Sequence, residues 1–349
     1  MMKAALFLGP ERMEVKEVET PSVKNPWEML VRVRACAVCG SDVRIFHHGN
    51  PRVNPPAILG HEIAGEVVDV GDAITQFKIG DRVAIGADVP CGVCEMCKRG
   101  LGNNCPTNYA IGYQFQGGFA EFILLNETTM KYGPVHHIPD GVSDVAATLA
   151  EPLACCLNAY ELANLSPGET VVVFGLGPVG CLLVEVAKIL GAGKVIAIQR
   201  SKRRLQMAIE MGIPADVFVC AQEEDPVERV LKETDGEGAD VILTACASEE
   251  AQEQAIRMVA HRGRVNLFAG LPPGARKIEL DSNFIHYREA FIFGSHGSVP
   301  RHHKSALKLL SDGRIKADRY FTHRFSLNEI LEAIRAVEGR EAMKVVICP

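Results

Sequence analysis

Val171-Val-Val-Phe174 runs without a polar break into Gly175-Leu-Gly177-Pro-Val-Gly180 and on into Cys181-Leu-Leu-Val-Glu-Val-Ala-Lys-Ile-Leu190. The short apolar run ending at glycine reads as a strand buried on both faces, and the apolar-rich decamer after the glycines reads as a helix. A second apolar strand follows at Lys194 to Gln199, which makes the whole segment a βαβ unit. Gly175 then permits the tight turn, Gly177 lets the backbone approach a diphosphate, and Gly180 lets the helix pack closely on the sheet. Pro178 and Val179 lie between these glycines, where the helix amino terminus offers N–H groups to an anion. Glycine triplets also mark turns of no functional interest, but a strand before and a helix after single this one out as a dinucleotide site.

Alternation continues downstream, with a helix near Ser201 to Met211, a strand near Asp216 to Val219, a helix near Pro226 to Glu233 and a strand at Asp240 to Thr244. A helix near Glu249 to Ala260 and a strand at Arg264 to Ala269 follow, so 156–290 is expected to be a doubly wound parallel sheet, a Rossmann domain. The texture upstream differs. Short strands broken by glycine and proline, such as Ile63 to Gly71 and Gly80 to Ile85, predict an irregular β-rich domain over 1–155. Mixed texture returns after 290, and 291–349 is expected to complete that first domain.

The end of the second strand is where an NAD site offers an acid to the ribose hydroxyls. This chain offers Gln199, followed by Arg200, Lys202, Arg203 and Arg204. Such a field favours a 2′-phosphate, which a guanidinium grips bidentately, with Arg200 and Arg204 as the expected contacts. NADP is therefore the expected cofactor, with NAD possible. A solvated basic helix face is the alternative meaning of the same charges.

Cys91-x2-Cys94-x2-Cys97-x7-Cys105 places four thiols where they can converge on one tetrahedral zinc, in a lobe of about 88–108. Four protein ligands leave no position for a substrate, so this ion is structural. Two disulfides or four unrelated thiols are the alternatives, but the intervening Gly92, Glu95, Lys98, Gly100 and Asn103 have the character of exposed loop. The other eight cysteines (Cys36, Cys39, Cys155, Cys156, Cys181, Cys220, Cys246 and Cys348) are scattered among apolar neighbours and argue for a reducing compartment.

With 349 residues and 47% hydrophobic content the chain can bury two cores. A net charge of −6 and a pI near 6.0 give no reason to expect nucleic acid or an anionic membrane as partner. The apolar run at the amino terminus stops at Pro10, and Val145 to Leu165 is interrupted by Glu151, Pro152, Asn158 and Glu161, so neither a secretory leader nor a membrane span is expected. The expected location is the cytoplasm. No internal repeat or low-complexity tract is present.

Upstream of the cysteine lobe lie Cys39-Gly-Ser41-Asp42 and Gly60-His61-Glu62, and downstream lies Glu151 in Ala150-Glu151-Pro152-Leu153. Together they supply thiolate, imidazole and carboxylate, the donors of an open zinc site. Singly, each has an ordinary structural explanation in a core or a turn. Taken in order with the four cysteines, Gly117-Gly-Phe-Ala-Glu-Phe122 and the glycine turn, they strongly resemble the zinc-dependent medium-chain alcohol dehydrogenase family over essentially the full length. The chain looks closest to the polyol, alditol-phosphate and threonine dehydrogenase branch.

That resemblance implies a GroES-like catalytic domain beside the Rossmann domain. It implies two zincs per chain, with Cys39 and His61 as fixed ligands of the catalytic one and Glu62 and Glu151 as acids that coordinate it or stand behind it. Ser41 is implied to pass a proton from the substrate oxygen toward the cofactor ribose and water. The implied substrate is a small-molecule secondary alcohol or ketone, a polyol, sugar or sugar phosphate, and the implied assembly is a homodimer or homotetramer. Two rivals are an NAD-dependent amino-alcohol dehydrogenase of the threonine type and a zinc-stabilised binding protein without turnover. Joint presence of Cys39, Ser41, His61, Glu62 and Glu151 speaks against the latter. The chain departs from polyol relatives in carrying Arg44 and Ile45 where they carry a histidine and an aromatic residue, and Gly297 and Ser298 where they carry an Arg-Tyr pair. His296 is a candidate for substrate or nicotinamide contact. Arg44 and the run Arg301 to Lys304 could meet an anionic substrate group or form a solvated loop.

Overall fold

The computed structural model describes residues 1–272, 274 and 277–349. It divides into two compact units, Met1–Cys155 with Gly297–Pro349, and Cys156–His296. The second unit is a six-stranded parallel sheet in the order Val217–Cys220, Lys194–Gln199, Thr170–Phe174, Ala239–Thr244, Val259–Leu267, Phe291–Gly294. Strand order reverses beside Thr170–Phe174, whose Val171 pairs with Val195 on one side and Val241 on the other. Ligands of open parallel sheets bind outside the carboxyl ends of the strands at such a reversal. Val171, Val172 and Val173 are fully buried, as strands covered by helices on both faces require.

The sheet is one strand larger than the sequence suggests. Phe291–Gly294 pairs in parallel with Arg264 to Leu267, so the unit runs to His296 rather than 290. The strand expected from Arg264 begins at Val259, with a register shift between Ala239 and Val241. The preceding helix is correspondingly shorter, Glu249–Arg257, and starts on a Ser248 side chain that accepts from Ala251 N.

The first unit is built around a sheet in the order Val135–His137, Arg82–Ile85, Glu62–Val70, Met29–Ala37, Lys344–Cys348, Phe321–Ser326. A smaller sheet joins Arg12–Val18, Met2–Gly9 and Ala57–Ile58. Fully buried Met29, Val31 and Ile63 share one core with Val345, Ile347 and Ile334 from the returning segment. The first domain's core is thus incomplete without residues from beyond 296. Among the described residues no helix is long and apolar enough to cross a membrane.

Candidate active site

Met29–Ala37 lies between two neighbours, with Ala37 opposite Glu62 on one side and opposite Val346 on the other. Its end delivers Cys39 as the N-cap of the helix Gly40–His48. Asp42, fully buried in the first turn, accepts from Cys39 N at 2.9 Å and from Gly60 N at 3.2 Å, and so ties the two loops together. Gly60 has φ +88°, and a Cβ there would stand 2.7 Å from Cys36 Sγ, so only glycine brings the chain to His61 this closely.

One donor atom each from Cys39, His61 and Glu62 lies within 4.8 Å of the others. His61 Nδ1 is buried 3.5 Å from Asp42 Oδ1, without a hydrogen bond to any described residue. Burial pushes this imidazole down, but Asp42 and Cys39 reverse that and hold it well above the usual histidine range. The pocket thus favours positive charge, and its thiolate, imidazole and carboxylate suit zinc.

Glu151 sits in the first turn of the helix Ala150–Ala163 and stands outside that three-atom group. Burial raises its carboxyl to about 7, opposed by His61, reinforced by Glu62 and Asp88, and opposed again by Lys344. Ser41 Oγ is buried with no hydrogen-bond partner among the described residues. The Tyr113 ring lies 6.0 Å from the His61 ring, and Arg52 stacks 5.1 Å over Tyr113. Asp42, Tyr113 and Lys344 were not singled out by sequence. Asp42 had a signal, the Cys39-x2-Asp42 spacing of a capping box.

The four lobe cysteines are free thiols whose sulfurs converge within 4.8 Å. Cys94 Sγ lies 3.4 Å from Cys97 Sγ and 3.8 Å from Cys105 Sγ, and Cys91 Sγ lies 3.9 Å from Cys97 Sγ. Tetrahedral zinc with bonds of about 2.3 Å sets sulfurs about 3.8 Å apart, so the cluster fits that ion without rearrangement. Burial and Cys94 push the Cys97 thiol up to about 12. Cys105 falls to about 6 because the N–H groups of Cys91, Asn108 and Thr107 outweigh burial.

In the second unit the three glycines meet three different demands. Gly175 has φ +89°, and a Cβ would press on Cys246; a Cβ on Gly180 would collide with the Gly175 carbonyl; Gly177 faces open space. Pro178 opens the helix Pro178–Ile189, with Gly177 as its N-cap. Gln199 Oε1 accepts from Leu176 N at 2.8 Å, a role that sequence alone did not suggest. Arg200 is exposed, Arg204 Nη1 lies 3.2 Å from Met207 Sδ, and Lys202 is engaged by Glu223 at 2.8 Å.

The remaining candidates are more dispersed. Arg44 is exposed, and His296 is exposed with its carbonyl accepting from Asn158. The run Arg301 to Lys304 is no solvated loop: it lies in the helix Pro300–Ser311, with His302 and His303 buried. Gly297 and Ser298 have a local reason. Ser298 N donates to Asp88 Oδ2 at 2.9 Å, and a Cβ on Gly297 would collide with the same carboxylate.

Residues 25–140 match the alcohol dehydrogenase GroES-like domain, and residues 178–312 match the zinc-binding dehydrogenase domain. The sorbitol dehydrogenase of Halalkalibacterium halodurans is 34% identical over 348 residues, 98% of this chain and 97% of its own. The L-threonine 3-dehydrogenase of Pyrococcus furiosus is 34% identical over 99% of this chain and 98% of its own. A zinc-binding dehydrogenase of Sinorhizobium meliloti 1021, solved bound to NADP, superposes with a TM-score of 0.92 at 32% identity, covering 100% of this chain and 99% of that one. With a GroES-like β domain, a Rossmann domain and these relatives, the chain belongs to the zinc-dependent medium-chain alcohol dehydrogenases, and it is an enzyme of that class. Within the family it falls in the branch of polyol and threonine dehydrogenases.

Proposed function

We propose that the enzyme interconverts a secondary alcohol and its ketone with NADP(H), its substrate being a polyol, sugar or sugar phosphate. The observation that carries this reading is the convergence of one donor atom each from Cys39, His61 and Glu62 within 4.8 Å of one another. Cys39, His61 and one of Glu62 and Glu151 would hold zinc, which when bound would supply the Lewis acidity for an alcohol to ionise near neutral pH, with a nicotinamide cofactor supplying the hydride acceptor. Asp42 keeps Cys39 and His61 at their spacing by holding the N–H groups of Cys39 and Gly60. Ser41 Oγ, buried and without a hydrogen bond to another described residue, would relay the alcohol proton, accepting it while passing its own hydroxyl proton on toward the cofactor ribose and water.

Cofactor preference follows from charge. Gln199 puts no carboxylate beside a 2′-phosphate, and its carbonyl is already engaged by Leu176 N. Arg200 remains exposed next to it as the phosphate contact, with Arg204 one turn on. The lobe cysteines hold a second, structural zinc. The assembly is a homodimer or homotetramer, and Phe291–Gly294, the edge strand of the parallel sheet where Phe291 is 55% exposed, is the surface that favours self-association.

A metal count combined with NAD(P)H absorbance tests the reading, using polyols, their phosphates and amino alcohols with both cofactors. Two zincs per chain and faster reduction of NADP with a polyol or its phosphate are expected. One zinc with no turnover sinks it, and turnover of amino alcohols with NAD moves it to the threonine type.

A further inference from the structure

Lys344 opens the strand Lys344–Cys348, and its side chain is 4% exposed. Its Nζ lies 2.6 Å from Glu62 Oε1, 2.5 Å from Glu62 Oε2 and 3.3 Å from the Val38 carbonyl. The ammonium hydrogen-bonds Glu62 Oε1 and the Val38 carbonyl, while Glu62 Oε2 stands in ion-pair contact with it but has no hydrogen-bond partner among the described residues. The Glu62 side chain is fully buried, and one of its oxygens also lies within 4.8 Å of the donor atoms of Cys39 and His61. One buried carboxylate therefore faces two cationic positions.

We propose that Lys344 is a positioning residue that competes with the catalytic zinc for the carboxylate of Glu62, and so keeps a coordination position open for substrate. The proposal rests on the reading of Cys39, His61 and Glu62 as a zinc site. Glu62 Oε2 is the oxygen without a hydrogen bond, and turning it to a metal draws it out of its 2.5 Å contact with the ammonium and so gives up part of a buried ion pair. Without the lysine, Glu62 loses this ion pair and passes to the metal. Zinc, Cys39 thiolate and Glu62 then sum to zero charge, whereas with Lys344 present they sum to +1. Binding of the ammonium and binding of the metal are thus negatively linked through one side chain.

Chelator titration of the zinc-loaded protein tests this. Each zinc leaves in its own step, and the step belonging to the Cys39 site is the one missing from Cys39→Ser. Lys344→Met is expected to tighten that step on the order of tenfold, the scale on which groups behind metal ligands act, and to leave the other step unchanged. In the Glu62→Gln background the same change is expected to tighten it much less, because no carboxylate remains to hand over. Starting from loaded protein keeps the measurement valid should zinc-free Lys344→Met fail to fold. Equal tightening in both backgrounds means that Lys344 acts only through its charge, and overturns the proposal; an unchanged or weaker constant also overturns it. A parent protein that loses no step on Cys39→Ser overturns the zinc reading itself, and this proposal with it.

Discussion

Acid is expected to destabilise this protein through one buried pair of imidazoles. His303 Nδ1 lies 3.0 Å from His136 Nδ1, with the rings stacked 5.2 Å apart. His303 is 1% exposed on the helix Pro300–Ser311, and His136 belongs to the strand Val135–His137. Burial, with His136 adding repulsion, pushes His303 down to about 3. Burial, Lys304 and His137 push His136 down to about 4. An unfolded histidine titrates near 6.5, so below that pH the unfolded chain takes up protons that the folded chain refuses. The neutral pair contributes full stability above about pH 6.5, and that contribution is lost as pH falls from there toward 3. At about 1.4 kcal/mol per pH unit for one proton, lowering pH from 7 to 5 costs roughly 2 kcal/mol from His303 alone. Urea midpoints at pH 7 and pH 5 for the parent and His303→Gln give the measurement. The variant should start less stable at pH 7 and lose roughly 2 kcal/mol less between the two values, because its buried amide takes up no proton. Equal losses in both proteins would refute the reasoning.

Cys39→Ser or His61→Ala is expected to abolish turnover while the lobe zinc is retained; metal content and activity read together check this, and an active variant with a single zinc counts against it. Cys97→Ser should lower the thermal midpoint by several degrees with less effect on kcat/KM, since a closed metal site contributes folding energy and touches no substrate. Arg200→Ala should cost about 1.5 to 3 kcal/mol in kcat/KM for NADP while sparing NAD, and equal losses for both would show the arginine to be a solvated side chain. Phe291→Lys, a charge on the open sheet edge, should shift sedimentation toward a monomer without changing the zinc content.

Local demands were legible in the sequence because a few adjacent residues settle them. The glycine turn, the cysteine spacing and the helix Pro226–Glu233 all belong to this kind. Pairings between distant segments were not. Phe291 to Gly294 has the composition of any half-buried strand, and only its partner strand assigns it to the parallel sheet. Charge misled at Arg301 to Lys304, where helical spacing buries His302, His303, Ala306, Leu307 and Leu310. In the candidate site, Cys39-x2-Asp42 and Gly60-His61 are short motifs that sequence can display. Tyr113 and Lys344 arrive from separate strands and loops, and a lysine heading an apolar strand does not announce a buried partner.

The placement of Lys344 also bears on how the chain is made. Glu62 leaves the ribosome 282 residues before its counter-ion. The Rossmann unit, whose strands all come from one continuous stretch, can fold in that interval. The amino-terminal part meanwhile lacks Val345, Ile347 and the helix carrying Ile334, together with the only lysine that neutralises Glu62 among the described contacts. The Cys39, His61 and Glu62 cluster therefore reaches its closed, charge-balanced interior only once the segment carrying Lys344 has been made.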